Sequence, residues 1–164
     1  MPTPMSSTFE FPAPPDRVFA LMTDRAFLEG RLTQTGGQDP EVVSVDTADG
    51  VTTLVTREAI PASVLPSMVS AMINGDPVTE RTERWRAEGD GYAADFGVVV
   101  KGAPASMKGT MTIAPAPGGS TLTVAGTATV PVPLFGGKIE SIVVERVQTL
   151  LEREAQYTAR SLQA

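Results

Sequence analysis

The chain has 164 residues, 41% of them hydrophobic, and a formal net charge of −6. That length suffices for one core and reads as a single domain over residues 1–164, while the acidic balance, with no Lys/Arg cluster, excludes general phosphate-backbone binding and with it a nucleic-acid partner. Cysteine and histidine are both absent, which removes disulfides, thiolate zinc sites, Ser–His and Cys–His nucleophiles, imidazole bases and His-ligated metals.

Any chemistry must therefore come from carboxylates, Tyr, Lys, Arg, hydroxyls or the backbone, and no cofactor or metal is expected. Met1–Thr8 has neither the basic nor the apolar segment of a signal peptide. No run approaches the roughly 18 apolar residues of a membrane span. The expectation is a cytoplasmic protein that does not insert into membranes. Nothing in the sequence specifies an oligomeric state.

Met5–Phe11 reads as a short strand, ended by Pro12, Pro14 and Pro15. Pro15 suits the first turn of a helix and Asp16 its positive end; Val18, Leu21 and Met22 give the stripe, and Phe27-Leu28 a second short turn. Gly30 and Gly36-Gly37 then break the pattern. From Glu41 the period becomes two, with Val43 and Val45 alternating against polar neighbours and Asp49-Gly50 turning a hairpin into Val51–Ala59. Pro61 ends that strand. Leu65, Met68, Val69, Met72 and Ile73 are set at helical spacing up to Asn74-Gly75.

Four further strands come in series: Val78–Ala87, Tyr92–Lys101, a stretch alternating Met107, Gly109, Met111 and Ile113, and one alternating Leu122, Val124, Gly126, Ala128 and Val130. One-sided alternation of this kind describes an antiparallel sheet with one wet and one covered face. The chain closes on a helical pattern from about Ile139 to Leu162, with Ile139, Val143, Val147, Leu150, Leu151 and Tyr157 on its apolar face. At ~25 residues it would be ~38 Å long, enough to cover a curved seven-stranded sheet.

That order of elements, with Phe9-Glu10-Phe11-Pro12-Ala13-Pro14-Pro15-Asp16-Arg17-Val18-Phe19 at the start, resembles the START-like (SRPBCC, polyketide-cyclase-like, helix-grip) superfamily. Val100-Lys101-Gly102-Ala103-Pro104, the Gly126 strand and Pro133-Leu134-Phe135-Gly136-Gly137-Lys138-Ile139-Glu140 are similar to one bacterial branch of unknown function. The resemblance implies an α+β helix-grip fold: a curved antiparallel seven-stranded sheet around a long C-terminal helix, with short helices after strand 1 and between strands 3 and 4. It also implies a cavity between sheet and helix for an apolar or amphipathic molecule. It does not imply an enzyme, since one fold hosts many functions.

Glu154 is the central candidate. With Ile139 at zero and 100° per residue it falls at ~60°, between Leu150 at ~20° and Val147 at ~80°. It would either anchor a ligand in the cavity or close an internal ion pair with Arg57, Arg81, Arg84 or Arg25. Glu140, near the helix start, reads as favouring the dipole. On the charged strand, Arg81, Glu83 and Trp85 share one face. If Trp85 points inward, Glu83 and Glu154 form the nearest thing here to an acid–base couple; otherwise the strand carries cross-strand salt bridges on a solvated face.

Met68 and Met72 could gate the cavity, with Met22, Met107 and Met111 around it, or simply fill the core. Tyr92 and Tyr157 are either hydroxyl donors to a ligand or core residues. Gly136-Gly137-Lys138 is not a phosphate loop, because Val132 stands where the first glycine belongs and Ile139 follows the lysine. The expected ligand-binding set is Met68, Met72, Arg81, Glu83, Trp85, Phe96, Met111, Val143, Val147, Leu150, Glu154 and Tyr157. The expected function is binding or sequestration of a hydrophobic or amphipathic small molecule, lipid or polyketide-like. The alternatives are a cyclase or dehydratase using Glu154 and Glu83 or a tyrosine, and a protein-interaction module with a filled core.

Overall fold

The computed structural model describes residues 2–35 and 38–163; the Gly36-Gly37 pair read as a break lies outside them. Seven strands pair antiparallel throughout: β1 (Thr3–Phe11), β2 (Gln38–Ala48), β3 (Val51–Ala59), β4 (Val78–Glu88), β5 (Gly91–Lys101), β6 (Ser106–Ala116) and β7 (Gly119–Thr129). Their order is β1-β7-β6-β5-β4-β3-β2, so the first strand crosses to the last and every other neighbour is consecutive in the chain. Two short helices, α1 (Pro15–Met22) and α2 (Arg25–Thr35), come after β1. A third, α3 (Ser67–Ser70), lies between β3 and β4, and α4 (Gly136–Gln163) closes the chain. This is the helix-grip architecture that the resemblance implies.

The period-two alternation translates directly into faces. On β6, Met107, Met111 and Ile113 are buried while Lys108, Thr110 and Thr112 are not. On β4, Glu83 and Trp85 are buried while Arg84 and Arg86 are exposed, so Trp85 does point inward. The Asp49-Gly50 turn has positive φ at both residues, 52° and 78°, the geometry whose twist suits a two-residue hairpin.

Two helices differ from expectation, each for a local reason. The segment Phe27-Leu28 is no short turn but part of an eleven-residue helix. Asp24 caps it, its Oδ2 accepting from the Phe27 amide at 2.9 Å. Conversely, the helix expected over Leu65–Ile73 shrinks to Ser67–Ser70. Leu65 precedes Pro66 and is held extended, at φ −88° and ψ 150°, because the proline ring crowds the helical conformation of the residue before it.

The 28-residue α4 lies closest to β1, β7, α2 and α1 rather than to the centre of the sheet. Its deepest side chains are Ile139, Glu140, Val144, Leu151, Glu154, Thr158 and Leu162. Val143, Val147 and Leu150, expected on the same face, are half-buried on an adjoining stripe. Glu140 does more than favour the helix dipole. It accepts from the Val130 amide at 2.9 Å and the Thr3 hydroxyl at 2.8 Å, tying the helix start to β1 and the end of β7. At the other end Arg17 donates to the Leu162 carbonyl at 2.6 Å, satisfying a carbonyl that the helix itself leaves open.

Gly109 and Gly126 face each other across β6 and β7, and Phe96 pairs with Gly109 across β5 and β6. A Cβ on Gly109 would run into the Ala125 carbonyl, and one on Gly126 would sit 3.0 Å from the Phe96 ring. The glycine pair thus gives Phe96 its place on the inner face. Gly97, by contrast, has open space where a Cβ would go. Gly109→Ala is expected to cost about 1–3 kcal/mol by overpacking, and Gly97→Ala to stay within about 0.5 kcal/mol. Chemical denaturation of the two variants checks this; equal stabilities would contradict the close packing at Gly109.

Candidate functional site

Because α4 keeps to the β1–β7 side, a space opens between it and the strands from β3 to β6. It is a cavity of about 450 Å³, within the usual size of small-molecule pockets. Its apolar wall is Phe96, Val98, Met107, Met111, Val124, Val147 and Leu151. A second chamber of about 140 Å³ lies toward the start of α4, between Leu65, Val69 and Ile73 on one side and Val130, Ile139 and Val143 on the other. Ile60, Thr79, Val98, Met107, Arg146 and Val147 border both spaces.

The polar end of the larger cavity is a buried cluster of four charges. Arg81 Nη1 donates to both oxygens of Glu154, at 3.1 and 3.0 Å, and its Nε donates to Glu83 Oε2 at 2.7 Å. The other Glu83 oxygen accepts from the Trp85 indole at 2.8 Å. Arg31, on α2 and only 2% exposed, brings its Nη1 to 3.8 Å from Glu154 Oε1, too far for a hydrogen bond. Its Nε is buried with no partner. An unsatisfied buried donor costs about 1–3 kcal/mol, so Arg31 is held there by the rest of the fold.

Burial by itself would raise the Glu83 carboxyl. The charges of Arg81 and Arg31, with hydrogen bonds from Trp85 and Arg81, outweigh that and hold it below the ordinary carboxylate range. For Arg81, burial works against the charged form, yet Glu154 and Glu83 together raise its pKa further. The Val130 amide, opposed by burial and helped by Thr3, likewise lowers the Glu140 carboxyl.

Of the expected ligand-binding residues, Arg81, Phe96, Met111, Val147, Leu150 and Glu154 line the larger cavity, and Met72, Val143 and again Val147 line the smaller. Glu83 and Trp85 line neither; they lie buried behind Arg81, with Trp85 edge-on to Phe19 at 6.1 Å. Tyr157 packs its ring on Phe27 at 5.4 Å, away from both chambers. Met68 borders neither chamber and Met72 is 41% exposed. The helix expected to pair them is shorter, and Leu65, Val69 and Ile73 line that wall together with Met72. Met22 is a core residue, whereas Met107 and Met111 reach the cavity. The Tyr92 hydroxyl donates to Asp16 at 2.8 Å outside the cavity.

Among the arginines considered for Glu154, Arg81 is the partner. Arg57 pairs with Glu80 at 2.6 Å, Arg25 donates to the Val42 carbonyl at 2.9 Å, and Arg84 is exposed. Arg31 is not among the residues that the sequence singles out. Its signal was its spacing, on one stripe with Phe27, Leu28 and Leu32, which becomes visible only once α2 is recognised as a full helix. Among the described residues no group of acidic side chains could hold a metal ion, and no helix is long and apolar enough to cross a membrane.

A curved antiparallel sheet gripping a long C-terminal helix over such a cavity defines the START-like fold. Solved structures agree: a START superfamily protein from Mycobacterium smegmatis superposes with a TM-score of 0.61 at 15% identity, covering 98% of this chain and 97% of that one. An aromatase/cyclase from Streptomyces sp. R1128 gives 0.55 at 12% identity, over 98% and 90%. The chain belongs to the family described as "Protein of unknown function (DUF2505)", whose model matches residues 6–162. An uncharacterized protein of Mycobacterium tuberculosis is 31% identical over 113 residues, 67% of this chain; the match spans 65% of that relative's length.

The charge cluster has consequences for stability. Arg81→Met leaves two buried carboxylates short of donors and is expected to destabilise the fold by about 3–5 kcal/mol, measured by denaturant unfolding. The Glu83 and Glu140 carboxyls sit lower folded than unfolded, so the folded state binds fewer protons than the unfolded one in acid. Their contribution is complete above the unfolded value of about 4.3 and is lost as pH falls through the folded values. Stability measured down an acid series should therefore fall, and Glu83→Gln should flatten that fall; an unchanged slope would contradict the assignment.

Proposed function

We propose that the protein binds and sequesters a hydrophobic or amphipathic small molecule in the space between the sheet and α4. The observation that carries this reading is the pair of adjoining chambers, about 450 and 140 Å³, the smaller bordered almost wholly by apolar side chains and the larger closed at one end by charge. Ligand pockets combine an apolar wall with a few convergent polar groups in this way. The flexible Met107, which borders both chambers, and Met111 in the larger one can adapt to more than one apolar shape.

The geometry gives less support to an acid–base couple. Both oxygens of Glu83 are engaged by Arg81 and Trp85, and its carboxyl is held below the ordinary range, so it neither reaches the cavity nor readily carries a proton. Glu154 does reach the cavity wall, but both its oxygens already accept from Arg81.

Val147 borders both chambers, so Val147→Trp should fill the passage between them. The variant is expected to fold and to lose at least about tenfold in affinity for a neutral apolar fluorophore such as N-phenylnaphthylamine, a change of about 1.4 kcal/mol. Native mass spectrometry of wild-type protein purified from its own host should show a bound small molecule that the variant lacks. Undiminished uptake by Val147→Trp would overturn the reading.

A further inference from the structure

Resting on that reading, we infer that the ligand is an amphipathic carboxylic acid whose carboxylate is received by Arg31 and whose apolar chain runs past Met107 toward the second chamber. The two carboxylates of the buried charge cluster are already engaged. Glu154 takes Arg81 on both oxygens, and Glu83 takes Arg81 and Trp85. Arg31 keeps donor capacity to spare: its Nε has no partner and Glu154 stands at 3.8 Å from its Nη1. It is 2% exposed and forms part of the cavity wall.

A guanidinium is a planar fork of donors that matches a carboxylate and stays charged when buried. It would recognise an arriving acceptor by charge-assisted hydrogen bonds, the strong kind. Arg146 and Arg153 also stand on the cavity wall, whereas Arg57 and Arg81 there are paired with Glu80 and with Glu83 and Glu154. A hydroxyl or ester head would give Arg31 only a neutral acceptor, and neutral hydrogen bonds are the weaker kind. The apolar direction is equally defined: from Arg31 the wall continues through Met111, Val98 and Met107 into a chamber bordered by Val130, Ile139 and Val143. A polar head and an apolar chain thus have separate, adjoining places.

The test is displacement of N-phenylnaphthylamine by decanoic acid, methyl decanoate and decanol, in the wild type, Arg31→Gln and Arg31→Met. Decanoic acid is expected to compete about tenfold better than the ester or the alcohol in the wild type, and this preference should shrink below about threefold in either variant. Binding of the neutral fluorophore should persist in both variants, because Arg81 still holds Glu154. A nuclear Overhauser contact between the acid's α-methylene and the Arg31 side chain, measured on unsubstituted protein, makes the test independent of how the variants fold. Equal competition by acid and ester, with the fluorophore still bound, would overturn the carboxylate head and leave the cavity reading standing. An acid preference that survives both substitutions, or a head-group contact to Arg146 or Arg153 in place of Arg31, would overturn the role of Arg31. If the fluorophore does not enter the wild-type cavity at all, the cavity reading fails and this inference with it.

Discussion

The bond from Arg81 to Glu154 is the contact on which the interior depends. The long helix makes its close backbone approach to β1, β7 and α2, and over β3 to β6 it stands away from the sheet. Arg81 reaches across that gap from β4 and meets Glu154 on α4. A long, planar, always-charged side chain can span such a space where an aliphatic one would collapse it. Buried ion pairs seldom add much net stability over an apolar replacement. What this one supplies is a fixed separation, and the cavity is the volume so kept open.

The two stripes of α4 come from the same arrangement. Val144 and Leu162 belong to the core, Val143, Val147 and Leu150 border open space, and Leu151 reaches both. The helix is anchored at both ends by polar contacts, Glu140 to Val130 and Thr3 at the start and Arg17 to the Leu162 carbonyl at the finish. Between those anchors it need not press on the sheet. Leu134, at φ 71° and 96% exposed, lies in the turn that launches the helix, a conformation that disfavours most side chains and here sets the direction of α4 before its first turn.

The strands were legible because their physics is local. Alternation on β5, β6 and β7 reports which face is covered, and the covered face needs no knowledge of what covers it. The short helices were less so. Pro66 holds Leu65 out of α3, and Asp24 caps the start of α2 through one hydrogen bond; hydrophobic periodicity sees neither. The inward turn of Trp85 was open to inference from the face it shares with Arg81 and Glu83. That Arg81 rather than Arg57, Arg25 or Arg84 meets Glu154 depends on the register of β3 with β4, where Arg81 faces Thr56 and Arg57 faces Glu80, and register is a tertiary fact.

Glu154 draws attention as a carboxylate on an apolar helix face, either a ligand anchor or half of an internal pair. The structure makes it half of a pair, and that pair is itself part of the cavity wall. Pairing has a chemical consequence. Both oxygens of Glu154 already accept from Arg81, while on the donor side Arg31 Nε has no partner. The residue that stands out in the sequence is thus one already paired on both oxygens, and the residue with an unpartnered donor is an arginine hidden in a helix that looks, in one dimension, like an ordinary charged stretch. A site of this kind selects for acceptors rather than for donors, which is the opposite polarity to the one a lone glutamate suggests.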